Sequence, residues 1–115
     1  MQLQELILEM DFFANEREWN EFHTPKNLIM GIASEAGELL DCILWDNPTP
    51  KELQNDQQRL DHMSEEMADV FLYLIRLSSI MDIDLIRAAQ HKLQKNRKKY
   101  PTNKSIGVWR GRWEN

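Results

Sequence analysis

The feature that most constrains this chain is an acidic strip on an otherwise apolar helix, with no basic residue nearby to pair with it. Residues 33–45, ASEAGELLDCILW, repeat apolar residues at helical spacing and interrupt them with three acids. At about 100° per residue these acids share one stripe, and no Lys, Arg or His occurs from residue 27 to residue 50. We expect such a helix to be buried on most sides and to need a positive partner from elsewhere.

A second acidic strip follows in another apolar segment. Glu66 and Asp69 are three residues apart and therefore neighbours on a helix face, with His62 one turn before them and Tyr73 one turn after. Residues 60–75 contain four acids, one His and no Lys or Arg. Two strongly apolar helices should pack together, which would bring the two acid pairs face to face.

These strips have two interpretations. An acidic strip can be the solvated face of an amphipathic helix, and a lone Glu-x-x-Glu is weak evidence for anything else. Solvated faces, however, usually mix both charges, whereas four carboxylates facing one another repel unless they are protonated or bind a cation. Oxygen ligands without Cys or clustered His favour Mg²⁺, or Mn²⁺ as a substitute, over zinc.

Charge is divided unevenly along the chain, whose net charge is −5. Residues 1–84 hold 18 acids against 5 Lys and Arg, whereas residues 85–115 hold one acid against nine. The basic end, with Trp109 and Trp113 beside arginines, could belong to a non-catalytic module that binds nucleic acid or a protein partner. The negative overall charge and the absence of a recognisable reader motif argue against nucleic acid.

The turn and cap residues predict helices throughout. Thr24 before Pro25 is a strong helix start, Thr49 opens a capping box, and Asp82 or Asp84 can cap a further helix. No segment alternates as strands do. The predicted helices span residues 2–18, 25–46, 60–81 and 85–99, with a short exposed helix or turn after residue 50.

We therefore predict an all-α domain over residues 1–101, a bundle of four main helices, followed by an irregular tail at residues 102–115. No run of eighteen apolar residues suggests a membrane span, and the acidic N-terminus does not resemble a secretory signal. The single cysteine, Cys42, cannot form an internal disulfide, which fits a cytoplasmic protein.

Aromatic and basic residues add two further patterns, each with an ordinary structural alternative. Five aromatic residues lie in or near the acidic helices and could either pack in the core or line a slot that stacks a planar base. They are Trp19, Phe22, His23, Trp45 and Tyr73. One face of the last helix carries Lys92, Lys95, Asn96 and Lys99. That face is either a solvated basic surface or a source of positive charge for a polyphosphate.

Three blocks of sequence, in this order, carry a resemblance to a known family. WNEFHTPKNLIMGIASEAGELLD, EEMADVFLYL and KLQKNRKKYP resemble the MazG-like nucleotide pyrophosphohydrolases of the all-α NTP pyrophosphatase superfamily. The similarity covers roughly residues 15–101 and looks closest to the small members, including the dCTP pyrophosphatases. The connection between the second and third helices is short and polar, and the tail at residues 102–115 has no counterpart that we can place.

The resemblance implies a role for each matching residue. Glu35, Glu38, Glu66 and Asp69 would bind Mg²⁺, with Glu35 or Glu38 also acting in catalysis. The residues that would contact substrate are Trp19, His23, Asn27, Trp45, Tyr73, Lys92, Asn96 and Tyr100. The implied enzyme cleaves a nucleoside triphosphate, dCTP or another dNTP, into a monophosphate and pyrophosphate. It would be a homodimer or homotetramer in which neighbouring subunits complete the bundle. Within this fold dUTP or dUDP, a damaged nucleotide, or phosphoribosyl-ATP remain alternative substrates.

Overall fold

The computed structural model describes residues 1–109, which form helices and connections without a strand. The helices are α1 (Leu3–Glu16), α2 (Pro25–Asp41), α3 (Pro50–Gln54), α4 (Gln57–Ile80), α5 (Leu85–Lys99) and α6 (Thr102–Ser105). The all-α prediction is thus confirmed. Contacts divide the chain into a unit of Met1–Ile83 and a second unit that begins at Asp84, whereas the sequence suggested one domain to residue 101. Arg110, Arg112 and Trp113 of the basic end lie outside the described residues.

Helix α2 begins where the sequence predicted and ends earlier. The Thr24 hydroxyl accepts a hydrogen bond from the Asn27 amide (3.2 Å), and Pro25 occupies the first turn, where its missing N–H costs nothing. The helix stops at Asp41 instead of Asp46, because the next amides bond to carbonyls three residues back rather than four. The guanidinium of Arg59 also holds the Asp46 carboxylate (2.9 Å), which draws this turn toward the start of α4.

Local side-chain caps also set the later helix starts. Thr49 caps α3 as predicted, since the Glu52 amide donates to the Thr49 hydroxyl (3.2 Å). The second bond differs from that of a capping box, because the Thr49 hydroxyl and not its backbone amide donates to the Glu52 carboxylate (3.1 Å). Helix α4 starts three residues before the prediction because Asp56 accepts from the Arg59 amide (3.2 Å). Of the two candidate caps for α5, Asp84 performs the function, accepting from the Arg87 amide (3.0 Å).

The first part of the tail that we expected to be irregular forms one helical turn, α6. Pro101 precedes it in extended conformation, and the Ile106 amide closes the turn on the Thr102 carbonyl (3.2 Å). The prediction of an irregular segment was therefore wrong for these residues, because a single turn needs only local bonds that leave no periodic apolar pattern in the sequence.

In the first unit, α4 packs against α2, α1 and α3. Three apolar side chains are fully enclosed, one from each of the long helices: Ala14, Leu28 and Ile75. The expectation that α2 is buried on most sides was wrong for the isolated chain, since Leu28 is the only buried residue of that helix. Three of its large apolar residues, Ile29, Met30 and Leu40, are exposed, and Ile32 and Leu39 are half-buried. An apolar surface of α2 is thus left uncovered by the other helices of the first unit.

Across residues 1–109, no helix combines the length and the apolar character needed to cross a bilayer.

Candidate active site

Three carboxylates converge between α2 and α4. Glu35 and Glu38 are one turn apart on α2, and Glu66 faces them from α4. One oxygen of each lies within 4.8 Å of the others. The two helices pack against each other, which brings Glu66 opposite the two acids of α2, as the sequence predicted for facing acid pairs. Three negative charges at this distance repel strongly unless a proton or a cation lies among them.

Burial of Glu66 and of one Glu35 oxygen makes the charged form of these carboxylates unfavourable. Glu66 is only 8% exposed, and the Oε2 atoms of Glu35 and Glu66 are buried without a hydrogen-bond partner among the described residues. Buried polar atoms in folded proteins are almost always paired. The unpaired oxygens of Glu35 and Glu66 therefore leave room for a proton or a cation that the described residues do not supply.

The pKa of Glu35 reflects both its burial and the repulsion from its neighbours. Burial, followed by a hydrogen bond with Glu66 and the charge of Glu38, raises the pKa of Glu35 from its ordinary 4.5 to about 7. The charge of Asp69 adds a smaller effect in the same direction. Without a cation, Glu35 thus holds its proton up to near-neutral pH.

The fourth predicted ligand, Asp69, is close to this cluster without being part of its tightest group. It lines the adjacent cleft together with Glu35. His62, which the sequence placed one turn before Glu66, brings its Nε2 to 3.3 Å from a Glu66 oxygen. The Cys42 sulfur lies 3.6 Å from the other nitrogen of His62. The imidazole is more than half exposed, so it offsets little of the cluster's charge.

An open cleft of about 410 Å³ adjoins the carboxylates. This volume lies in the range of small-molecule sites. Its wall combines aromatic, aliphatic and acidic side chains from α1, α2, α4 and the connection between α1 and α2. The lining residues are Leu6, Glu9, Met10, Phe13, Trp19, His23, Glu35, Asp69, Leu72 and Tyr73. Three of the predicted substrate-binding residues, Trp19, His23 and Tyr73, are therefore brought together beside the acids.

The aromatic rings of this cleft meet edge to face. The Phe13 and Trp19 rings are 5.6 Å apart at 77°, and Trp19 and His23 are 5.9 Å apart at 62°. Such pairs leave ring faces available for a planar ligand. Phe13 is in turn covered by the Arg17 guanidinium, 3.7 Å from the ring centre. The cleft can therefore hold a flat apolar group with its polar end toward the carboxylates.

The position of the Tyr73 ring depends on a glycine of α2. A Cβ placed on Gly31 would lie 2.6 Å from Cε1 and 2.7 Å from Cζ of Tyr73, distances that real carbon atoms do not adopt. Gly31 thus provides the space in which the tyrosine ring lies across α2. Gly31 lies inside a regular helix, so this position needs glycine for the close approach of the Tyr73 ring and not for an unusual backbone conformation.

Arg76 of α4 holds His23, which lines the cleft. It is 6% exposed and donates to three groups: Nε to His23 Nδ1 (2.9 Å), one Nη to Asp11 (2.7 Å) and the other to Asn20 (2.7 Å). The Ser79 hydroxyl donates to the second oxygen of Asp11 (2.5 Å). The buried charge of Arg76 is therefore paired, and its guanidinium donates to three different residues. These bonds tie α1 and the α1–α2 connection to α4.

Two predicted substrate residues of the first unit lie outside this cleft. The Asn27 side chain donates to the Phe22 carbonyl (2.9 Å), which secures the entry into α2. Trp45 is 93% exposed, in the turn that follows α2. Their contact with substrate remains a prediction from the resemblance.

The remaining predicted residues belong to the second unit. Lys92 and Asn96 lie on α5, and the Tyr100 amide donates to the Asn96 carbonyl (2.8 Å), closing the helix. The Lys99 ammonium lies 5.4 Å from the Tyr100 ring centre. Phosphate contacts by Lys92, Asn96 and Tyr100 stay a prediction.

The comparison with known proteins decides the family. Residues 23–103 match the model of the MazG nucleotide pyrophosphohydrolase domain, a range that includes all three clustered carboxylates and Asp69. The chain belongs to the MazG family.

Relatives of this MazG protein include enzymes named dCTP pyrophosphatase 1. The protein from Rattus norvegicus is 37% identical over 98 residues, which are 83% of this chain and 56% of the relative. The protein from Homo sapiens is 34% identical over 94 residues, which are 79% of this chain and 54% of the relative. The chain spans about half the length of the curated relatives it matches.

A solved structure shares the fold. The crystal structure of a pyrophosphatase from Archaeoglobus fulgidus matches with a TM-score of 0.79 and 36% identity, over 86% of this chain and 92% of that one. The predicted all-α fold of the MazG type is thereby confirmed.

The sequence did not reveal that α1 lines the cleft or which partners Arg76 holds. Glu9, Met10 and Phe13 line the cleft, although the sequence showed only an amphipathic helix there. Arg76 carried a usable signal, since it is the only Lys or Arg between Arg59 and Arg87. An isolated arginine in an apolar helix must find buried partners, but the sequence could not say which.

Proposed function

We propose that the protein is a divalent-metal-dependent nucleoside triphosphate pyrophosphohydrolase. The observation that carries this proposal is the convergence of Glu35, Glu38 and Glu66 beside an aromatic cleft, with two buried oxygens that have no partner among the described residues. The family and the names of the relatives support the same reaction class.

The residues present fit a hard divalent cation. All donors in the cluster are carboxylate oxygens, the ligand type that Mg²⁺ prefers and Mn²⁺ accepts. Glu35, Glu38 and Glu66 would hold the ion, with Asp69 completing the set from the cleft side. The unpartnered Oε2 atoms of Glu35 and Glu66 would then have the positive partner that the described residues do not supply.

The proposed reaction is hydrolysis between the α and β phosphorus atoms. When bound, the cation would neutralise phosphate charge and favour ionisation of a nearby water. Glu35 or Glu38 would orient the water for in-line attack on the α phosphorus and take its proton. The bond from the α phosphorus to the bridging oxygen would break, so pyrophosphate leaves and a nucleoside monophosphate remains.

The cleft favours a nucleotide with its base among the aromatic rings. Trp19 and Tyr73 offer stacking surfaces, each of which can contribute about 1–3 kcal/mol with any base. Because such stacking tolerates every base, the choice of dCTP or another dNTP rests on the relatives' names. A uridine nucleotide, a damaged nucleotide or phosphoribosyl-ATP would use the same carboxylates.

We also propose a homodimer or homotetramer. An apolar groove on α2 and α4 is lined by Leu39, Ser64, Met67, Ala68, Val70, Phe71 and Leu74. Met67 is 57% exposed and Phe71 41% exposed. Together with the exposed apolar residues of α2, this surface resembles half of an obligate interface more than a solvated face.

The test is a nucleotide panel assayed for pyrophosphate and monophosphate, with Mg²⁺ and with EDTA. We expect EDTA-sensitive release of pyrophosphate and its loss in Glu38→Gln, with the helical circular dichroism unchanged. Glu65→Gln is the matched control, because it removes the same charge from an exposed position of α4 and should retain activity. Turnover of Glu38→Gln at the wild-type rate would refute the role of Glu38. Turnover that survives EDTA would refute the metal dependence.

A further inference from the structure

We infer that Arg76 is a positioning residue that holds His23 as the neutral tautomer with its proton on Nε2, so that His23 offers one hydrogen-bond donor to an uncharged acceptor atom of a bound nucleoside. This inference rests on the proposed function for the identity of the ligand. The state of His23 is argued from its own surroundings, above all the hydrogen bond from Arg76, and does not depend on that function.

The hydrogen bond between Arg76 and His23 determines the tautomer. The Nε–H of Arg76 lies 2.9 Å from Nδ1 of His23. An arginine is always protonated and can only donate, so Nδ1 must present its lone pair. In a neutral imidazole the proton then resides on Nε2.

The surroundings of His23 also oppose the imidazolium form. Burial, and secondly the charge of Arg76, lower the pKa of His23 below its ordinary 6.5. Asp11 is the acid that faces this network from α1, and its oxygens are occupied by Arg76 and Ser79. Acids from three helices line the same cleft: Glu9, Glu35 and Asp69. The pKa of His23 nevertheless follows burial and Arg76.

Arg76 is itself held so that this geometry persists. Its two Nη groups bind Asp11 of α1 and Asn20 of the α1–α2 connection, each at 2.7 Å. With all three nitrogens engaged and the side chain buried, the Nε–H has little freedom to leave His23. The edge-to-face contact with Trp19 holds the ring from another side.

The chemistry of the ligand atom follows from this state. His23 lines the cleft, and with Nδ1 occupied the ring nitrogen left for a ligand is Nε2. A neutral N–H suits a base carbonyl, a ring nitrogen or a sugar oxygen. A phosphate group would be served better by a charged donor. His23 therefore recognises the nucleoside part of the ligand, while the phosphates lie toward the carboxylates.

The first measurement reads the tautomer directly. Nitrogen-15 NMR of histidine-labelled protein distinguishes the two neutral forms and the imidazolium, and a His23→Gln spectrum identifies the His23 signals among those of His62 and His91. We expect His23 to be neutral with Nε2 protonated from pH 6 to pH 8. In Arg76→Lys, which keeps the charge and loses the Nε–H, we expect a mixture of tautomers. A merely structural Arg76 would lower thermal stability and leave the tautomer unchanged.

The second measurement is binding of dCMP by titration calorimetry. His23→Gln can still accept from Arg76 and donate to a ligand, so it should bind within about threefold of wild type. His23→Phe keeps a ring but has no donor, and it should lose about tenfold, the size expected for one hydrogen bond.

These measurements separate the inference from the proposed function, since neither needs turnover. An Nδ1-protonated or charged His23 at pH 7 would overturn the role of Arg76. Binding of dCMP by His23→Phe at the wild-type affinity would overturn the donor role. Failure of the wild-type protein to bind dCMP would overturn the nucleoside assignment, while the NMR result would still decide the positioning role.

Discussion

Replacing Gly31 by alanine adds one methyl group where the Tyr73 ring lies across α2. The new Cβ would be 2.6, 2.7 and 3.0 Å from three ring carbons. Carbon atoms in contact prefer about 3.5–4.0 Å, so the ring edge has to move by about 1 Å. The backbone of α2 cannot yield as easily, because Leu28, one turn earlier, is fully buried.

Two opposing effects set the change in stability. Alanine in a helix interior is favoured over glycine by about 1 kcal/mol, whereas overpacking costs about 1–3 kcal/mol. We therefore expect Gly31→Ala to lower the free energy of unfolding by up to about 2 kcal/mol. The effect on activity should be larger, because a misplacement of about 1 Å at a reacting site can cost up to about 100-fold in rate. We expect kcat/KM for the preferred nucleotide to fall at least about tenfold.

Gly37→Ala is the matched control. Gly37 lies in the same helix, and a Cβ there meets nothing within 4 Å. It should gain up to about 1 kcal/mol from helix propensity and keep its activity. Chemical denaturation and steady-state kinetics of both variants give the comparison.

A double-mutant cycle identifies the cause. In a Tyr73→Ala background the ring is absent, so Gly31→Ala should become stabilising by about 1 kcal/mol. The sign of the effect should thus reverse. If Gly31→Ala behaves like Gly37→Ala in the wild-type background, with higher stability and unchanged kcat/KM, the reasoning about Tyr73 is refuted.

Three further predictions address the carboxylates, a helix cap and the apolar groove. In EDTA, the free energy of unfolding should fall as the pH rises from 4.5 to about 7, because the unfolded chain releases the Glu35 proton first while the folded protein retains it. Thermal melts should show this slope. If the same slope persists in Glu35→Gln, Glu35 is not its cause. Thr49→Ala should lower the free energy of unfolding by about 1 kcal/mol and Thr49→Ser by much less, since the Glu52 amide loses its acceptor in the first variant alone. Chemical denaturation measures both, and equal losses would show that the helix cap is not responsible. Met67→Glu should lower the molar mass measured by light scattering, because it places a charge in the exposed groove; a wild-type monomer would contradict the proposed interface.

The parts of the protein that follow from local interactions could be predicted from the sequence. Thr24, Thr49 and Asp84 cap helices because each side chain bonds to an amide three residues ahead. The pairing of acids at i and i+3, such as Glu35 with Glu38, also follows from helix geometry alone. Errors of a few residues occurred where a distant contact or a local turn intervened, as at Asp46, which Arg59 holds.

What only the tertiary structure decided depends on residues far apart in the chain. The sequence could place Glu66 opposite α2, but not show that its burial leaves an oxygen without a partner. It could not place Phe13 beside Trp19 in the cleft or Trp45 outside it. Arg76 reaches Asp11 and His23 across 65 and 53 residues, a choice of partners set by how α1 and α2 pack on α4. Helical periodicity specifies which face of a helix is apolar, whereas the distances between side chains on different helices are set by packing.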